Sequence, residues 1–249
     1  MRKIDVHAHY GKWPFAGRDA SIDDFDRAVE EYETDAFFIS SSSAIMYDFV
    51  EGNRELFDAI SGRSSLYGYV VINSNYPRES MEEIRKYEQH PGFIGVKYHP
   101  DYCRKPADSE ELYKLYAYME AQEIPMLIHT FGDGLSSPMK LVSVNKAFPG
   151  LKIAAAHMGG DRYDLGILLA QNTNDSIVLE ICATYTVRDK IRLAVDGAGI
   201  GRVMYGTDYS LFDPSYTIGA VESSVLSEKE KECIYRLNAQ RFFSRYQGK

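Results

Sequence analysis

The chain has 249 residues, 45% hydrophobic and 26% charged, the composition of a globular protein and neither a fibrous repeat nor a disordered chain. Its 28 lysines and arginines stand against 36 aspartates and glutamates, a net charge of −8 with no basic run, which excludes nucleic acid and anionic membranes as expected partners. One core can bury most of the apolar surface of such a chain, so a single domain over 1–249 is expected.

The chain starts Met1-Arg2-Lys3-Ile4-Asp5-Val6-His7 and reaches an acid and a histidine before any apolar stretch long enough for a signal peptide or membrane helix, which reads as a cytosolic protein. Apolar runs with strand character predict strands at 2–9, 35–40, 66–72, 92–98, 125–130, 151–157, 176–182 and 201–206. Helical spacing predicts helices at 21–33, 52–61, 77–89, 108–122, 138–147, 163–172, 186–197 and 214–236, the last split near Ser227. Start signals precede two of them, Ser21-Ile22-Asp23-Asp24 and Asp108-Ser109-Glu110-Glu111. Strands alternating with helices imply a parallel sheet of βα units, and eight strands imply an α/β fold closed as a (β/α)₈ TIM barrel. An open doubly wound sheet is the competing architecture, but no strand is followed by the glycine-rich phosphate loop common in such nucleotide folds.

Cys103, Cys182 and Cys233 are odd in number and lack CxxC spacing, so neither a disulfide framework nor a zinc knuckle is expected. Cys182 lies in an apolar run and reads as a small core residue. His90 precedes Pro91 outside any strand end and reads as an ordinary turn histidine.

Polar residues at the C-terminal ends of predicted strands carry the chemistry. His7 and His9 flank Ala8, and alternation along a strand puts both imidazoles on one side about 7 Å apart. His129 ends Pro125-Met-Leu-Ile, His157 ends Ile153-Ala-Ala-Ala, and Asp208 follows Met204-Tyr-Gly-Thr. A barrel brings such strand ends to one rim. Imidazoles and one carboxylate suit Zn²⁺ or a similar divalent cation with room left for water, and Asp208 buried without a cation or other partners would carry a large desolvation cost.

These residues resemble the amidohydrolase superfamily, in particular the branch containing aminocarboxymuconate-semialdehyde decarboxylase and related decarboxylases and hydratases. The matching pieces are Asp5-Val-His-Ala-His, Gly92-Phe-Ile-Gly-Val-Lys-Tyr-His-Pro, His129, His157-Met-Gly-Gly and Tyr205-Gly-Thr-Asp208, in order over nearly the whole chain. The resemblance implies that His7, His9, His129 and Asp208 bind one metal, that His157 is the acid/base, and that the protein is a homodimer. Lys97 stands where other superfamily members carry a carboxylated lysine bridging two metals. An unmodified ammonium beside a cation is repelled, so Lys97 is carboxylated, turned toward substrate, or neutralised by a carboxylate. The reading adopted is one metal with an unmodified Lys97. The TatD-like nucleases share the His-x-His start, but they carry a glutamate where Lys97 stands and another in place of Gly206.

The expected activity is therefore that of a metal-dependent hydrolase or decarboxylase, acting on a small carboxylated molecule through metal-activated water with His157 and Asp208 as catalytic residues. Lys97, His99, Arg162 and Trp13 are the candidate substrate-binding residues, with Lys12 a further anchor for a substrate carboxylate. The alternatives are a binuclear amidohydrolase or lactonase with carboxylated Lys97 and a second metal, and a non-catalytic barrel that binds a metal or metabolite.

Overall fold

A computed structural model describes residues 1–15, 19–183, 187 and 189–248. Its strands are β1 (Lys3–Tyr10), β2 (Thr34–Ser41), β3 (Leu66–Val71), β4 (Phe93–Tyr98), β5 (Met126–Phe131), β6 (Ile153–Gly159), β7 (Ile177–Glu180) and β8 (Val203–Met204). They form one sheet in sequence order with every named pair parallel. β8 meets β1 through irregular backbone bonds, Val6 N to Tyr205 O at 3.3 Å and Asp208 N to His7 O at 2.8 Å, with a bridge between Ala8 and Tyr209. This is the (β/α)₈ barrel.

Alternate strand residues divide between two apolar layers, as a two-residue period requires. Phe38, Tyr69, Ile94, Leu127, Ala154 and Met204 fill the barrel interior, which Phe242 and Phe243 close at one end. Phe37, Val70, Val96, Ile128 and Leu179 face outward onto Phe25, Leu56, Ile84 and Leu115 of the surrounding helices. β1 changes face once. Ile4 and Val6 belong to the interior layer and Ala8 to the outer one, because the pairing register slips between Asp5 and Ala8. That slip turns both His7 and His9 into the barrel mouth.

The helices follow the expected order with shifted ends. Ile22–Glu31 starts from a capping box between Ser21 and Asp24. Phe49–Ile60 begins ahead of the expected 52 because the Asp48 side chain caps Val50 and Glu51. The helix expected at 108–122 is a 3₁₀ turn, Glu110–Leu112, running into Tyr113–Ala121. Residues 184–186 and 188 lie outside the described ones, and the helix there is Lys190–Ala198. The segment 214–236 breaks after Pro214–Ser223 and restarts at Glu228, where Ser227 and Glu230 form a second capping box. β8 is shorter than 201–206 because Tyr205 N leaves the ladder to bond Ile234 O at 3.0 Å. His90 Nδ1 accepts from Gly92 N within a turn. Among the described residues, no helix is long and apolar enough to cross a membrane.

Candidate metal centre and active site

Five of the six histidines meet at the barrel mouth, where ring centroids of neighbouring pairs lie 3.8–5.1 Å apart. His9 Nε2 lies 2.9 Å and His7 Nε2 3.6 Å from Asp208 Oδ1, and the donor atoms of these three residues all fall within 4.8 Å of one another. Asp208 and His157 both have positive φ, 61° and 62°, strain that is retained where the surroundings dictate a side chain's direction. Behind them Asp5 ties β1 to the segment after β8, accepting from His7 N, Thr207 N and Thr207 Oγ1.

Burial works against the Asp208 charge, yet the adjacent imidazoles of His7 and His9 hold its carboxyl well below the usual carboxylate range. Burial, and then the Lys97 charge, lowers the pKa of His7. Burial also lowers those of His129 and His157, so the rings are neutral donors at pH 7. Asp208 Oδ1 is buried and, although close to His9 Nε2, lacks an aligned hydrogen-bond donor. Neutral imidazoles around an ionised carboxylate with an unsatisfied oxygen fit a divalent cation.

Lys97, on β4, is completely buried, with Nζ 2.7 Å from His7 Nε2. Burial pulls its pKa down to about 8 against the attraction of Asp208. His129 bridges two groups. Its Nδ1 is 3.0 Å from His157 Nε2, and its ring stacks on His99 with Nε2 3.8 Å from Asp101 Oδ2. The cavity above has a volume of about 610 Å³ and is lined by His9, Lys97, His99, His129, His157 and Asp208 at its polar base. Trp13, Phe15, Tyr102, Phe131, Phe212 and Tyr216 supply aromatic walls. Trp13 stands edge-on to His9 at 5.0 Å and is stacked with Phe15 at 5.2 Å.

The structure thus gathers His7, His9, His129, His157, Asp208, Lys97, His99 and Trp13 in one place. Arg162 is elsewhere. It does not line the cavity, and its guanidinium pairs with Asp164 and Asp133, a solvated pairing of the kind that position in a loop favours. Lys12 is exposed and also absent from the lining.

Two residues of the site were not anticipated. Glu180 ends β7 completely buried, with Oε2 2.9 Å from His7 Nδ1, the carboxylate-to-imidazole contact that orients a metal-binding histidine. An acid inside the apolar run Ile177-Val-Leu-Glu-Ile was the available signal. Cys182 is buried as expected of a core residue, but its Sγ touches His7, His157 and Glu180.

A family model described as Amidohydrolase matches residues 4–245, in agreement with the resemblance carried by the motifs. Among solved structures the chain is similar to 2,6-dihydroxybenzoate decarboxylase from Rhizobium, at 13% identity over 97% of this chain and 98% of that one, with a TM-score of 0.79. It is also similar to dihydroxybenzoic acid decarboxylase from Polaromonas sp. JS666 with bound manganese and the inhibitor 2-nitroresorcinol, at 14% identity over 97% and 96%, TM-score 0.77. A third is 5-carboxyvanillate decarboxylase from Novosphingobium aromaticivorans, complexed with manganese and 4-hydroxy-3-methoxy-5-nitrobenzoic acid, at 15% identity over 97% and 96%, TM-score 0.71. At these identities the likeness to solved structures is one of fold. With the family match spanning nearly all of its length, the chain belongs to the amidohydrolase family.

Proposed function

We propose that the protein is a metal-dependent decarboxylase of a small aromatic carboxylic acid. The observation that carries this reading is the cavity itself, a base of neutral imidazoles, one carboxylate and one lysine beneath aromatic walls. That shape takes a flat ring between apolar walls and sets its anionic group at the base. The decarboxylases of similar fold, two of them solved with manganese and nitro-substituted aromatic ligands, support it.

In this reading His7, His9 and Asp208, whose donor atoms cluster, hold one divalent cation together with His129, whose donor atoms group with His99 and Asp101 in the cation-free site. The ion is either zinc, which nitrogen-rich donors suit, or manganese, as in two proteins of similar fold. When bound, that cation supplies positive charge that orients the substrate's oxygens and offsets developing negative charge. Lys97 and His99, at the cavity base, pair with the substrate carboxylate, and Trp13 packs against its ring. His157 Nε2 takes a proton from water and delivers it to the ring carbon bearing the carboxylate, which leaves the imidazole neutral again. A C–H bond forms, the C–C bond then breaks with its electron pair returning to the ring, and CO₂ leaves, the hydroxide left from water balancing the charge.

The test is CO₂ release from a panel of hydroxylated and unsubstituted aromatic acids, with esters, amides and lactones as controls, using protein of measured metal content. His157→Asn is expected to retain the cation and lose at least about 100-fold in turnover. Hydrolysis of a control without any decarboxylation, or full activity in His157→Asn, would overturn the reading.

A further inference from the structure

Glu180 and Cys182 lie behind the cavity base, completely buried and outside the lining. Three donors and one imidazole nitrogen converge on the Glu180 carboxylate. Cys182 N donates to Oε1, and His157 N donates to Oε2 at 3.2 Å, while His7 Nδ1 and Cys182 Sγ lie 2.9 Å and 3.0 Å from Oε2. An ionised carboxylate has about four lone-pair sites and no hydrogen to give, so this set matches the anion. His7 therefore carries its hydrogen on Nδ1. The Lys97 contact gives the same result independently, because an ammonium can only donate and in the cation-free site points at the lone pair of His7 Nε2, the one a bound cation would take instead.

The thiol has one hydrogen, which goes to Glu180. Only sulfur lone pairs then remain for His157 Nδ1, 3.1 Å away. Two acceptors facing each other in a buried site would leave both unsatisfied, so His157 carries its hydrogen on Nδ1. Its Nε2 is then an acceptor, and His129 Nδ1, 3.0 Å away, supplies the hydrogen for that contact. His129 Nε2 is left with a free lone pair. Every hydrogen in the row points inward, from His129 to His157 to Cys182 to Glu180.

We propose that Cys182 is a positioning residue that carries the charge of Glu180 to His157, holding its hydrogen on Nδ1 and reserving Nε2 for the proton exchanged with substrate. The inference rests on His157 being the proton-transfer residue. It adds a buried carboxylate acting through a thiol, and it makes one acid responsible for the tautomers of three histidines. The opposite arrangement, with S–H donated to His157, leaves Glu180 one donor short and moves the His129 hydrogen to Nε2, on the side of Asp101.

Nitrogen NMR of the full chain with ¹⁵N-labelled histidine, zinc-loaded and after chelation, tests this without any substrate. The His157 signals are identified by their loss in His157→Asn. The expected result is a protonated Nδ1 and unprotonated Nε2 in the wild type and in Cys182→Ser, whose hydroxyl both accepts and donates, and a mixture of tautomers in Cys182→Ala. In turnover, kcat is expected to fall about 10- to 100-fold in Cys182→Ala with little change in KM, and to recover in Cys182→Ser. A hydrogen on Nε2 in the wild type, an unchanged tautomer in Cys182→Ala, or a thiolate-to-metal absorption band after cobalt loading would overturn the proposal. The wild-type tautomer decides alone if a variant does not fold. Decarboxylation with the hydrogen on Nε2 sinks only this inference, and a correct tautomer without decarboxylation sinks only the proposed reaction.

Discussion

A methyl group on residue 206 would stand 2.5 Å from Glu180 Oε1 and 3.0 Å from His7 Cβ. Glycine is required there by close approach, since the chain after β8 passes directly over the carboxylate that orients His7. Gly206→Ala is expected to destabilise the protein by about 1–3 kcal/mol through overpacking. It should also weaken cation binding, because Glu180 must move to relieve the contact. Urea unfolding and metal titration read the two effects, and a variant that matches the wild type in both would show that the carboxylate has slack. Gly206 and Cys182 were visible in the sequence only as a small residue before Thr-Asp and a thiol in an apolar run. Neither pattern says what stands across the gap, since the nearest atoms belong to other strands.

At the scale of elements, the loop after β6 and the helix Lys190–Ala198 are joined by a buried lysine. Lys190 Nζ donates to Gly160 O at 3.0 Å and stands 5.0 Å from the centre of the Tyr163 ring. Burial pulls its pKa from 10.5 down to about 8, against the attraction of Cys182 and Asp161. The unfolded chain therefore binds more protons than the folded one between pH 8 and 10.5, and stability contributed at this position rises with pH across that window. Below pH 8 both states are protonated and the cost is constant. Stability of the wild type minus that of Lys190→Met should accordingly climb from pH 8 toward 10.5, as measured by urea unfolding. A flat difference would mean that the amine titrates normally in the fold. The helix ends show the same interplay of local and distant causes. Ser21 was readable as a cap and Ser227 as a break because both are matters of a few neighbouring residues, whereas the end of β8 was not, because Ile234 draws Tyr205 N out of the ladder. At the other start signal, Asp108–Glu111, the N-cap Ser109 makes no side-chain capping bond.

For the molecule as a whole, the candidate site is a cost that the proposed cation would relieve. It holds a buried carboxylate oxygen without an aligned donor, a buried ammonium and several crowded neutral imidazoles. A ligand that binds only the folded state stabilises it by RT ln(1 + [L]/Kd), about 2.7 kcal/mol at a hundredfold excess over Kd. For a chain of this size that corresponds to a rise in Tm of roughly 5–11 °C. Thermal unfolding of chelated protein with and without added zinc or manganese tests this, and a Tm indifferent to both ions would argue against a cation at this site.

The sequence by itself determined the barrel and which strand-end polar residues gather at its mouth. Both are written in short-range patterns: an apolar run of strand length, a helical period, and a polar residue where the run stops. Eight such units leave little choice but to close, and closure brings His7, His9, His129, His157 and Asp208 together wherever the loops go. The tertiary structure alone decided the register slip that turns β1, the exclusion of Arg162 from the cavity, and the place of Glu180 and Cys182 beneath the histidines. Those outcomes depend on which side chains from different strands share the same few ångströms, and no spacing along one strand encodes the distance to another.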